Sequence, residues 1–214
     1  MEANKIKLST VFFSILVIAA VEIVVRLLLN QDLLAPLTAS GLARLAEITF
    51  LLILINIREK NLLPIGLAST GVYQGIKKGL IWAVFFGAAA ALALLIIYLL
   101  GIDVLKLFQM QLPAEGYKLI GFFLVGAFIA PVAEEIFFRG ILYGFFRRWG
   151  MLTALVLSTL FFVLSHSFRH TIPVTQMIGG IVFAVAYEME KNLLVPIIIH
   201  VLGNLAIFTL ALIF

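Results

Sequence analysis

Apolar runs of membrane-spanning length, separated by short polar joints, set the pattern of this chain. They cover residues 11–29, 42–57, 80–100, 118–148, 151–168, 174–187 and 193–214. A segment crossing lipid has to satisfy every backbone group internally, and a helix of about 20 apolar residues does so alone. The pattern therefore predicts an all-α, polytopic integral membrane bundle of about seven transmembrane helices. The fourth run is the outlier. At about 30 residues it makes ~45 Å of helix against a hydrocarbon core of ~30 Å, so it has to tilt, bend at Pro131 or end outside the core. Small residues at Ala88 to Ala91, at Gly140 and Gly144, and at Gly179, Gly180 and Ala184 mark faces expected to pack closely, because helices in lipid associate through contact and not through water exclusion. The first run follows Lys5 and Lys7 but is too long for a signal h-region and precedes no small-residue cleavage site, so it reads as an anchor.

Composition sharpens this picture: 64% of the 214 residues are hydrophobic and 12% are charged, far outside the soluble range. That length has room for one structural domain. The absence of cysteine removes disulfides, thiolate metal ligands and a thiol nucleophile together. Lys and Arg fall mostly in the joints. Lys5, Lys7, Arg58, Lys60, Lys77, Lys78, Arg147, Arg148 and Lys191 collect on one side, and Lys106, Lys118 and Arg169 on the other. The positive-inside rule puts the first set, and with it the N-terminus, in the cytoplasm. The net charge of +4 reports this orientation and no nucleic-acid partner. The compactness of the chain favours a bacterial or archaeal plasma membrane.

Charge inside the apolar runs is scarce, and each instance is a functional candidate because an ionisable group at bilayer depth is costly. Glu22 with Arg26 at i,i+4, and Arg44 with Glu47 at i,i+3, are spaced to neutralise each other. The stretch from Pro131 to Arg139 is denser, with Glu134, Glu135 and Arg139 inside one run. Glu135 and Arg139 share a helix face in the favourable order, whereas Glu134 turns ~100° away and is left to face a cavity. Helix 5 ends in Phe162-Val-Leu-Ser-His166, and helix 7 carries His200-Val-Leu-Gly-Asn204. Counted from Arg147, Met151 and Lys191, the residues Glu134, His166 and Asn204 each lie ~20 Å from the basic side, with His200 at ~14 Å. Polar groups from three helices thus meet at one level near the midplane. A carboxylate without its own cation suits general-base and then general-acid duty. His166 can share a water with it, Phe162 walls the pocket, and His200 and Asn204 can donate to a developing oxyanion. Together they read as peptide hydrolysis without a covalent intermediate. There is no Gly-x-Ser-x-Gly and no His-Glu-x-x-His, and Asp32 and Asp103 lie in joints, which leaves glutamate or metal chemistry for a protease. His170, beside Arg169, reads as an exposed loop residue.

The elements Glu134-Glu-Ile-Phe-Phe-Arg139, Phe162-Val-Leu-Ser-His166 and His200-Val-Leu-Gly-Asn204, in this order, resemble the CPBP family of intramembrane proteases, which includes the Rce1-type CAAX endopeptidases and bacteriocin-processing proteins. The resemblance covers helices 4 to 7. It implies a catalytic four-helix core in residues 117–214, preceded by helices 1 to 3 in residues 1–116. It also implies a glutamic-type endopeptidase in which Glu134 and His166 activate water and His200 and Asn204 form the oxyanion site, supported by Glu135 and Arg139. Glu134, His166 and His200 have the residue types of a zinc site, but no fourth strong ligand accompanies them, so neither metal nor cofactor is expected. The implied partner, besides the lipid bilayer, is a membrane-anchored protein or peptide: a prenylated C-terminus, a peptide precursor or a C-terminal anchor. Three alternatives use the same residue types: a zinc-dependent version of this protease, peptide capture without cleavage as in an immunity protein, and proton-coupled transport. Against transport, the chain shows no inverted repeat.

Overall fold

The computed structural model describes residues 6–102, 112–166 and 174–213. It is all-helical over these residues, with α1 Leu8–Asn30, α2 Pro36–Glu59, α3 Val72–Leu99, α4 Gly116–Trp149, α5 Met151–His166, α6 Val174–Glu190 and α7 Leu194–Ile213. Five of these, α1, α2, α3, α4 and α7, are long and apolar enough to cross a membrane, and the protein is an integral membrane protein. The helices α5 and α6, with 16 and 17 residues, are shorter, at ~24 to ~26 Å. Asp103, Lys106, Arg169 and His170, and most of the joint in which a short interfacial helix is conceivable from the sequence, lie outside the described residues.

Two expectations about small residues change. The stretch from Gly71 to Gly79, which falls in the joint before the third apolar run, already belongs to α3 from Val72 onward. Its glycines serve close approach: a Cβ on Gly75 would meet the Asn192 side chain at 2.7 Å, and one on Gly79 would meet Ile198 at 2.9 Å. Conversely, Ala88, Ala89 and Ala91 are exposed on the outer surface of α3 and make no tight interface. Gly140 and Gly144 do pack closely, but against Ile65 in the turn Leu63–Ile65 and against Ile6 before α1, not against another long helix.

Polar bonds tie one end of the bundle together. The Lys7 N–H and the Thr10 hydroxyl donate to Glu59 at the end of α2, Arg148 donates to the Ile6 carbonyl, and Arg147 and Lys191 bind Glu188 at the end of α6. Lys78 and Trp82 of α3 bind Glu190, and the Asn192 amide donates to the Gly71 carbonyl. Starts of α1, α3 and α7 thus meet ends of α2, α4 and α6, which makes the helices alternate up and down. Within this frame α4 is central, touching α1, α2, α5, α6 and α7, while α3 packs mainly on α7. Burial follows: all of Ile136–Tyr143 except Phe137 is buried, whereas α3 buries only Gly75 and Gly79.

Candidate active site

The helix that carries the two glutamates is not uniformly α-helical. Gly116–Phe123 is α, Leu124–Ile129 is a wider π-helical stretch, Ala130–Glu135 returns to α, and Ile136–Tyr143 is π again. Such widened turns inside α-helices recur at functional sites. The first has an identifiable cause. Pro131 lacks an N–H, and its ring would crowd the carbonyl four residues back, so an α-turn there is unfavourable. The backbone adopts the longer period instead, with the Ala130 N–H donating to the Val125 carbonyl. Glu134 and Glu135 therefore sit on a short α segment between two widened ones.

From that segment the side chains diverge. Glu135 and Arg139 are fully buried and joined at 2.9 Å between Oε1 and Nη1. The other arm of Arg139 donates to the Gly180 carbonyl at 3.2 Å, and its guanidinium carbon lies 4.4 Å from the Phe162 ring centroid and 5.3 Å from that of Phe183. A side chain on Gly180 would crowd Thr159 and Phe162, so this contact favours glycine. His200 is buried and held twice: its Nδ1 lies 2.8 Å from Glu135 Oε1, and Phe183 stacks on its ring at 4.6 Å and 23°. His166 closes α5 with its Nδ1 2.8 Å from the Phe162 carbonyl and 3.1 Å from the Ser165 hydroxyl.

These bonds assign the tautomers. Glu135 is an anion paired with Arg139 and accepts only, so His200 Nδ1 carries the proton; the Phe162 carbonyl also only accepts, so His166 Nδ1 carries one too. In its neutral form each ring then directs a bare Nε2 toward the same atom, Glu134 Oε2, which lies 3.8 Å from each. Glu134, His166 and His200 are thereby brought together. Asn204 Nδ2 donates to the Gly126 carbonyl of the widened turn at 3.0 Å.

Some partners escaped the spacing rules. The link from Glu135 to His200, and the roles of Phe183 and of the Gly180 carbonyl, join residues far apart in the chain; only the tight packing expected at Gly180 hinted at them. One pairing is corrected outright. Glu22 does not pair with Arg26 along α1 but reaches across to Arg44 on α2 at 3.0 Å, and Arg44 also holds Glu47 at 2.5 Å. The tight packing of α1 on α2 makes the cross-helix partner the nearer one. Arg44 and buried Glu47 lie on α2, which packs against the Ala130–Glu135 segment that carries Glu134.

The matched sequence region coincides with this geometry. Residues 116–206, from the start of α4 through Asn204, match the family described as type II CAAX prenyl endopeptidase Rce1-like. The similarity to that family is confined to this segment. A further relative is the membrane-embedded CAAX protease MroQ of Staphylococcus aureus strain USA300, 37% identical over 83 residues. That similarity covers 36% of this chain and 33% of the relative, so it spans about a third of the relative's length. No solved structure matches the chain. The helices α1 to α3 lie outside the matched segment, although α2 packs against the part of α4 that carries Glu134.

Proposed function

We propose that the chain is a glutamate-type intramembrane endopeptidase that hydrolyses a peptide bond in a membrane-anchored protein or peptide. One observation carries the reading: Glu134 Oε2 lies 3.8 Å from both His166 Nε2 and His200 Nε2. That separation is too long for a direct hydrogen bond, and two lone pairs facing a carboxylate oxygen have no proton to share. A water between them has. Donating one proton to Glu134 and the other to His166 Nε2, it presents an oxygen lone pair to a substrate carbonyl.

As the oxygen of that water bonds to the carbonyl carbon, Glu134 takes its proton and passes it to the leaving nitrogen when the C–N bond breaks. His200, fixed at Nδ1 by Glu135 and 3.8 Å from Glu134 at Nε2, borders the space in which the oxyanion develops. The Asn204 amide has a second N–H for the same oxygen. Arg139 neutralises Glu135, which leaves Glu134 as the base of the pair. The basic end of the bundle faces the cytoplasm by the positive-inside rule, with the N-terminus inside a bacterial or archaeal plasma membrane.

The test is co-expression with a library of tagged, single-span membrane peptides, with new termini read by mass spectrometry. Cleavage is expected with the wild-type chain and lost with Glu134→Ala; cleavage that survives the substitution contradicts the proposal. A second reading has an observation behind it: imidazoles fixed at Nδ1 by oxygen acceptors are also how metal-bound histidines are oriented. The glutamate reading expects activity to persist after chelation, and loss on chelation with restoration by stoichiometric zinc favours the metal.

A further inference from the structure

The widened turn before Pro131 leaves one carbonyl without a backbone donor. In an α-turn the Gly126 carbonyl would accept from the Ala130 N–H, but that N–H donates to Val125. In a π-turn it would accept from residue 131, which is proline and has no N–H. An unpaired carbonyl on a helix in lipid is costly, because lipid offers no donor to satisfy it. Asn204 of α7 supplies the missing donor, with Nδ2 3.0 Å from the Gly126 oxygen.

The surroundings are shaped for this bond. Phe208, one turn beyond Asn204, lies 4.8 Å from the Phe122 ring and 5.6 Å from that of Phe123. A Cβ on Gly126 would meet the Phe208 ring at 2.9 Å. Asn204 and Phe208 therefore dock as a pair over Gly126. That contact lies about two turns from Glu134 along α4 and one turn from His200 along α7.

We infer that Asn204 is a positioning residue: its amide replaces the N–H that Pro131 lacks, and the bond fixes the register of α4 against α7, and so of Glu134 against His200. The inference rests on reading Glu134 and His200 as one site. Its test uses no substrate, so its failure is separable from failure of the protease assignment.

The test is a double-mutant cycle between Asn204→Ala and Pro131→Ala, read by thermal unfolding in detergent and by the ring resonance of His200 at one fixed pH. The chain has three histidines, so that resonance can be assigned by substitution. Pro131→Ala restores a backbone N–H, after which the Gly126 carbonyl can be satisfied within α4. The expected result is that Asn204→Ala lowers Tm less than half as much in the Pro131→Ala background as in the wild type. Asn204→Ala alone should also move the His200 resonance, and the double variant should return it to the position seen in Pro131→Ala. Should Asn204→Ala not fold, adding Pro131→Ala is expected to restore folding. Additive losses in Tm, an unmoved His200 resonance, or no rescue by Pro131→Ala would each overturn the inference.

Discussion

Arg139 engages its surroundings through both arms and the face of its guanidinium: one nitrogen holds Glu135, another the Gly180 carbonyl, and the ring of Phe162 lies 4.4 Å from its central carbon. Removing one partner of such a buried pair leaves the other charge uncompensated, so Arg139→Ala is expected to cost about 3–5 kcal/mol of stability. Arg139→Lys should recover only part of this, because a single ammonium cannot reproduce the planar fork or its stacking. Unfolding in detergent measures both; equal stability of Lys and Arg at this position would contradict the account. At the residue scale the sequence was informative wherever partners lie within one helix turn. Glu135 and Arg139 follow from i,i+4 spacing, but the second acceptor role of Glu135, toward His200, could not, because it spans 65 positions. Phe183 was illegible for a different reason. An apolar side chain in a membrane helix looks the same whether it faces lipid or stacks on a buried imidazole.

Among the helices, α3 shows how little a small residue says without its neighbours. Gly79 touches Ile198, while Gly87 on the same helix meets open space. Gly79→Leu should therefore overpack the α3–α7 interface and cost about 1–3 kcal/mol, whereas Gly87→Leu should leave stability unchanged. Matching losses from the two would mean that α3 docks on another face. Helix existence was legible, since hydrophobic length in lipid dictates it. The π-helical stretches of α4 were not, for Leu124–Ile129 is apolar throughout and Ile136–Tyr143 is apolar but for Arg139, with nothing in their own residues to set a longer period. Only Pro131 signalled irregularity, and its effect is a widened turn upstream of itself, in which Asn204 finds its carbonyl.

At the scale of the molecule, the alternation of α1 to α7 gathers the basic ends on one side, and the chain's lack of cysteine makes sidedness directly measurable. A cysteine at Lys60 should be shielded from an impermeant maleimide applied to intact cells and one at Glu115 labelled; the reverse pattern would invert the proposed orientation. The same scale holds what the sequence concealed about the first three helices. Read alone, they contribute nothing to the site, yet α2 packs against the part of α4 that carries Glu134 and Gly79 seats α3 against the helix that carries His200. Their part depends on the assembled bundle, which no local pattern records. The account's central claim is that Glu134 is the base of an intramembrane hydrolase and not one more member of a buried charge network. Glu134→Gln tests it most directly, because the carboxylate has no hydrogen-bond partner at Oε2 whose loss would unfold the protein. Side by side with the wild type, the variant should keep its Tm and lose cleavage of a membrane-anchored peptide by about 10²- to 10⁴-fold. Undiminished cleavage, or a fall in Tm as large as that of Arg139→Ala, would contradict it.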